Sequence, residues 1–237
     1  MSGNGAQTLT VTSNYTGDIY INADAVDTVR VNNDGDSWSN LGTTSFNGFT
    51  YTHYRDAVSH DLFITGGATV RFVDFPQTLI GGPLNDLLTG GAANDTIDGG
   101  LGTDTLAGGL GADIYKFGRG GSADTINNQG HGGEGDQVAF ASGIATDQLW
   151  FARSGNDLLV SVIGSSDQVN VQGWYASVAN HVDRFATTDG QVLLDSQVDN
   201  LVSAMAGFAP PAMGQTTLPQ NYQDSLSPVI AANWHAG

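Results

Sequence analysis

The chain has 237 residues, room for one large core or two small ones, with 40% hydrophobic residues and 24 acidic against seven basic side chains, a net charge of −17. That balance argues against nucleic acid as a partner, because phosphate binding needs clustered Lys and Arg, and the apolar content argues against wholesale disorder. With no cysteine, disulfides and thiolate metal sites are excluded, and no apolar run reaches the about 18 residues that a membrane span needs.

The opening segment, MSGNGAQTLTV, lacks the basic stretch and apolar core of a cleavable secretion signal, so export of this chain would use another signal. From there the runs TLTVT, DIYINA, TVRVNN, FTYTHY, LFITG and TVRFVDF read as strands separated by turn residues. His53 and His60 with Asp56 and Asp61 invite a catalytic reading, and Tyr51, Tyr54 and Trp38 invite a sugar-binding one. Polar and aromatic residues scattered on strand surfaces are the plainer account of both. No GxSxG elbow, HExxH helix or phosphate-binding glycine loop occurs, so nothing nominates a nucleophile and the expectation is a chain without enzymatic activity. The alternative is a secreted enzyme or carbohydrate-binding protein with its site in residues 1–75, facing a glycan or cell-surface partner. Asp74 and Leu79, the latter one period before Leu88, predict that this flank, residues 1–79, runs directly into the next region.

From Gly81 the sequence falls into four nonapeptides in unbroken register: GGPLNDLLT, GGAANDTID, GGLGTDTLA and GGLGADIYK. Each begins with paired glycines, carries Asp at its sixth position and a large apolar residue at its eighth: Leu88, Ile97, Leu106 and Tyr115. Paired glycines suit tight turns and let carbonyl oxygens crowd together, and Asp adds a hard charged oxygen. The eighth residue lies in a short strand and points inward, while neighbours such as Thr96, Asp98, Thr105 and Ala107 point out. Two such units make one coil of a flattened roll, which places Asp86 over Asp104 on one edge and Asp95 over Asp113 on the other. Like charges stacked a strand spacing apart need a cation between them. A cage of carbonyls with two carboxylates suits the flexible coordination of Ca²⁺ better than the small octahedron of Mg²⁺.

Residues 81–116 resemble the repeat-in-toxin (RTX), or haemolysin-type calcium-binding, family, whose unit is GGxGxDxUx; the third unit matches at every defined position. Leu84 and Ala93 depart from it, standing where the family has glycine. The resemblance implies an all-β fold, a right-handed parallel β-roll, that binds several calcium ions. It implies one site formed by Gly82, Leu84, Asp86, Gly99, Leu101 and Asp104, and a second by Gly91, Ala93, Asp95, Gly108, Leu110 and Asp113. Partial outer sites would use Gly100, Gly102, Gly109 and Gly111 with later residues, Asp124 in GGSADTI and Asp136 in GHGGEGDQVAF among them.

Residues 136–194 are similar to the domain that commonly follows such repeats, and the β-rich region 118–194 is expected to cap the roll, since a repeat stack needs its last coil covered. Leu149 and Phe151, then Leu158, Val160 and Val162, alternate on either side of the turn SGND and predict a hairpin, which Val169, Val171 and Trp174 continue. In residues 195–237 the spacing of Val198, Leu201, Val202, Met205 and Phe208 predicts a helix ending before Pro210 and Pro211, with a second short helix around Val229, Ile230 and Trp234. By its position the resemblance makes this tail an uncleaved carboxy-terminal signal read by the type I secretion machinery. The whole is then expected to be the end of a large secreted or surface protein, an adhesin, surface-layer protein or toxin, whose roll folds on meeting calcium outside the cell.

Overall fold

A computed structural model of the chain describes residues 8–11, 19–21, 28–32, 39–46, 49–55, 61–65, 69–73 and 76–237, which belong to two compact units, Met1–Phe75 and Pro76–Gly237. In the first unit, β1 (Thr8–Val11), β3 (Thr28–Asn32) and β7 (Thr69–Val73) pair in parallel. A second sheet joins β2 (Ile19–Ile21) in parallel to β6 (Asp61–Thr65), and β6 in turn to β5 (Phe49–Arg55) and β4 (Ser39–Phe46) with antiparallel pairing. Ile21, Leu62, Phe63 and Ile64 are buried there. The strand β4 carries no apolar alternation and was not predicted. It is recruited by hairpin pairing to β5, and a register shift between Asn40 and Thr43 accommodates Gly42, whose N–H donates to the Asn40 side chain at 2.8 Å. Trp38, Asp56, His60 and Asp74 lie outside the described residues.

The second unit is a parallel β-roll closed by a cap. Its strands come in alternation: β8 (Thr78–Ile80), β10 (Thr96–Asp98), β12 (Ile114–Phe117) and β14 (Gln137–Phe140) build one wall, while β9 (Leu87–Thr89), β11 (Thr105–Ala107) and β13 (Ala123–Ile126) build the other. The cap extends both walls. Next to β13 comes β17 (Gln168–Val171), followed by β16 (Asp157–Val162) and β15 (Leu149–Ser154) in antiparallel order. Next to β14 come β18 (Arg184–Ala186), β19 (Gln191–Leu194) and, from the chain end, β20 (His235–Ala236).

Register explains the core. Leu79, Ile97, Tyr115, Val138 and Phe185 stand opposite one another across one wall. Leu88, Leu106, Ile126 and Val171 do so across the other. These columns run inward from roll to cap without a slip, because side chains of one parity face one side of a strand. The predicted hairpin forms at Gly155 and Asn156, with Phe151 opposite Val160.

The tail folds onto the cap as α1 (Asp195–Met205) and α2 (Gln220–Asn233). The first helix buries Val198, Leu201 and Met205, as its spacing predicts. The second is longer than predicted: it starts right after Pro219, contains Pro228, and stops one residue before Trp234, which caps it and leads into β20. Packing decides this. Leu226, Ile230 and Trp234 all join the core, and Tyr222 sits against Trp150 with ring centres 6.2 Å apart, enough to outweigh the local penalty of an internal proline.

Candidate metal centre

The four repeat turns differ in backbone conformation, and the sequence says why. Gly102 and Gly111, at the fourth position of the third and fourth units, have φ of 126° and 105°, a region closed to most L-residues. A Cβ on either would come within 2.7 Å of the carbonyl oxygen of Leu84 or Ala93 in the preceding coil. Leu84 and Ala93 themselves are absent from the left-handed region, so the first two turns take a different path, with the Leu84 side chain in solvent.

Stacking carries the acidic residues into two rims. Along the first, Asp86 donates its N–H to Asp104 Oδ1 at 2.8 Å, and Asp104 donates its own to Asp124 Oδ1 at 3.0 Å. Along the second, Asp95 N–H reaches Asp113 Oδ1 and Asp113 N–H reaches Asp136 Oδ1, both at 2.8 Å. Asp95 likewise accepts Gln77 N–H on its Oδ1 at 2.7 Å, so each rim Asp from Asp95 onward uses one oxygen to fix the coil before it. The other oxygen differs along the stack: in Asp86 and Asp95 it accepts from Gly82 N–H at 2.6 Å and Gly91 N–H at 2.8 Å. In Asp104 and Asp113, 1% and 0% exposed, Oδ2 has no hydrogen-bond partner.

A buried carboxylate oxygen without a donor is expensive unless a cation meets it. Burial accordingly pushes the Asp113 carboxyl up to about 7, with Asp136, Asp95 and Glu134 adding repulsion against the opposing pull of the Asp95 amide. Asp124 is pushed up to about 6 and Asp136 is also raised, burial again leading. Carbonyls gather at the same places. A Cβ on Gly81 would meet both the Gly99 oxygen and Asp86 Oδ2, and one on Gly90 both the Gly108 oxygen and Asp95 Oδ2.

Of the predicted ligands, the stack therefore brings Asp86, Gly99 and Asp104 to one rim and Asp95, Gly108 and Asp113 to the other. The carbonyls of Gly82 and Gly91 lie at the rims too, accepting from Leu101 N–H at 3.1 Å and Leu110 N–H at 2.9 Å, and each keeps a second lone pair. Leu101 and Leu110 project their side chains into solvent and contact the neighbouring coil through those N–H groups. No group of three or more acidic or histidine side chains gathers anywhere among the described residues, so a cation here would draw on backbone oxygens as well. Two carboxylates with surrounding carbonyls form a hard, all-oxygen donor set that fits Ca²⁺.

Several participants were not foreseen. Asp183 Oδ2 accepts from Gly135 and Asp136 at 2.8 and 2.9 Å, and Asp167 Oδ1 from Ser122 at 3.2 Å, so both rims continue into the cap. Their signal was an Asp two residues before an inward apolar residue, as in DQV at 136 and 167 and DRF at 183. Glu134 reaches over the second rim to take the Gly111 N–H at 2.6 Å, with His131 beside it at 3.8 Å. Within the core, Tyr115 Oη accepts from Gly108 N–H at 2.9 Å and donates to Asn128 at 3.1 Å; Asn128 in turn donates to Asp136 and to the His181 carbonyl, each at 2.8 Å.

In the first unit two ring-bearing residues of β5, His53 and Tyr51, are engaged with Phe63. His53 stacks on it at 4.5 Å between ring centres, and Tyr51 meets it edge-on at 6.3 Å.

A family model described as the RTX calcium-binding nonapeptide repeat matches residues 80–115 in four copies, and one described as a haemolysin-type calcium binding protein related domain matches residues 157–197. The iron-regulated protein FrpA of Neisseria meningitidis serogroup C is 40% identical over 92 residues, a stretch that covers 37% of this chain and 8% of that protein. Among solved structures, the extracellular lipase LipA of Serratia marcescens shares 16% identity over 76% of this chain and 39% of its own, with a TM-score of 0.29, a likeness too low to carry an argument. The repeat array with its rims of stacked aspartates, the related domain behind it and the FrpA match agree: the chain carries the calcium-binding nonapeptide repeats of RTX, or haemolysin-type, proteins, and it spans only a small part of the FrpA relative.

Proposed function

We propose that this chain is a folding module of a larger secreted or surface protein such as an adhesin, surface-layer protein or toxin, whose roll forms when calcium fills its two rims. Gly82, Leu84, Asp86, Gly99, Leu101 and Asp104 make one cage; Gly91, Ala93, Asp95, Gly108, Leu110 and Asp113 make the other; Asp124 and Asp136 carry the rims onward. The module has no catalytic site of its own, and activity resides in the rest of the parent protein. The observation that carries this reading is the pair of buried, partnerless carboxylate oxygens on Asp104 and Asp113. In cytosol, where free calcium is scarce, the rims repel and the roll stays open. At the roughly millimolar calcium found outside cells, binding supplies folding free energy directly.

That order of events suits export by the type I secretion machinery. The tail at 195–237 packs its Val198, Leu201, Leu226 and Ile230 into the core once folded, so a transporter would read it before the module closes. Far-UV circular dichroism and calorimetry test the proposal together: EGTA should remove the roll's share of the strand signal, and calcium should restore it with at least two ions bound. A chain that keeps its full strand signal after metal stripping would sink it.

A further inference from the structure

Alongside the first rim lies an open groove of about 720 Å³, within the range of small-molecule sites. Its walls are largely apolar, with Pro83, Leu101, Phe117 and Phe140 among them, and its polar edge holds Lys116, Arg119 and Asp98. Lys116 is the only lysine of the chain, and from residue 76 onward only four basic residues stand among sixteen acidic ones.

The other two basic residues of this unit are occupied. Arg153 lies 4.3 Å over the Tyr175 ring and donates to the Gly155 carbonyl at 2.8 Å, and Arg184 donates to Gln137 at 2.8 Å. Lys116 and Arg119 are exposed, and neither has an ion pair or side-chain hydrogen bond among the described residues. Asp98 stands opposite Lys116 in the β-ladder and accepts from Gly100 N–H at 3.2 Å, leaving the groove one positive charge in excess.

We propose that this groove binds a small monoanionic amphiphile, a singly charged head group on an apolar body, and does so only when calcium has ordered the first rim. Lys116 and Arg119 take the head group, and the Pro83, Leu101 and Phe117 surface takes the body. Dependence on calcium follows from shared residues: Gly82, Gly100 and Leu101 belong to both rim and groove, so an unformed turn leaves the groove without a wall. Coupling of this kind is reciprocal, and the amphiphile must tighten calcium binding by the same factor that calcium tightens its own. This second half of the proposal rests on the calcium-folding reading above.

The probe is octane-1-sulfonate, which stays ionised across the pH range and is compared with neutral octan-1-ol and with methanesulfonate, the head group without the body. Titrated into the full chain in calcium and followed by ¹⁵N-resolved NMR, it should saturate with shifts centred on Lys116, Phe117, Arg119 and Ala139. Both control compounds should bind more weakly. The double variant Lys116→Gln/Arg119→Gln should bind about tenfold more weakly, the loss expected for a charge-assisted contact, with its calcium-induced dichroism intact. Unchanged affinity in that variant, or shifts scattered over the surface, overturns the site. Binding that survives EGTA while the strand signal is lost overturns the calcium dependence; a strand signal that itself survives EGTA overturns the folding reading instead.

Discussion

The roll and its cap share two walls of strands and continuous columns of inward side chains, yet they are held together by different forces. A roll strand is three or four residues long and contributes one or two inward side chains, while Ile80, Leu84, Leu87, Leu101 and Leu110 remain exposed around it. In the cap, β15 and β16 are six residues long, and β16 and β17 alternate buried and outward residues. Phe140, Phe151, Phe185, Trp174 and Trp234 meet there with the two helices, Phe151 packing edge-on against Phe185 at 5.6 Å. Burying one aliphatic side chain stabilises by about 2 kcal/mol, less than ordering the backbone of three residues costs at about 1–2 kcal/mol each. A nine-residue unit with one such side chain therefore depends on what its rims bind, and the cap does not.

The largest effect should come from withdrawing calcium while watching the two regions separately. With calcium at about a thousand times its dissociation constant, each ion contributes roughly 4 kcal/mol. In EGTA, amide hydrogen exchange by mass spectrometry should show residues 78–117 losing protection by roughly a thousandfold, with 149–171 and 184–205 keeping most of theirs. Equal loss in both regions would mean that the cap cannot stand without the roll.

Removing one rim charge should have a sign that depends on the ion. In Asp104→Asn and Asp113→Asn the amide oxygen still accepts the neighbouring N–H, but the charge facing the cation is gone, so the calcium midpoint should rise about tenfold or more. In EGTA the same variants should be more stable than the parent, because a buried, partnerless carboxylate has been neutralised. Asp183→Asn is the control from the cap. It weakens two charge-assisted hydrogen bonds and should cost about 1–2 kcal/mol with or without calcium, as thermal melts would show.

Acidity should separate the regions next. With Asp113 at about 7 and Asp124 at about 6, the metal-free fold holds these protons more tightly than the unfolded chain, whose carboxyls titrate near 3.8. Stability from this source is full below that value and is lost as pH rises through 6 to 7. The EGTA-treated roll should thus show more strand signal at pH 5 than at pH 8. In calcium the order should reverse, since the ion and the proton compete for the same oxygens.

What could be read from the sequence follows the same division. The repeat is local, so its register, the inward Ile97, Leu106 and Tyr115 and the stacking of Asp86 over Asp104 were all legible. The hairpin at Gly155 was legible for the same reason. Asp124 and Asp136 were legible as later rim residues although the coil lengthens from 18 residues between Asp95 and Asp113 to 23 between Asp113 and Asp136, but the continuation to Asp167 and Asp183 was not, since Asp183 lies 47 residues beyond Asp136. Only the fold makes those residues neighbours. The second helix shows the opposite case: it runs through Pro228, against the local preference of proline, because Leu226 and Ile230 are buried.

The smallest effect belongs to the junction. Tyr115 occupies a position that Leu or Ile fills in the other units, and its hydroxyl ties Gly108, in the second rim, to Asn128 and through it to Asp136 and His181. Tyr115→Phe keeps the ring and its burial while leaving the Gly108 N–H without that acceptor, which should cost about 1 kcal/mol, or roughly 2–4 °C in the thermal midpoint. If the hydroxyl only fills hydrogen-bonding capacity, that loss will be equal with and without calcium. If it positions the Gly108 carbonyl for the ion, the calcium midpoint will shift as well, and Asn128→Leu, which breaks the same chain one link later, will shift it in the same direction. A calcium midpoint unmoved in both variants would make roll and cap independent in energy despite their shared walls.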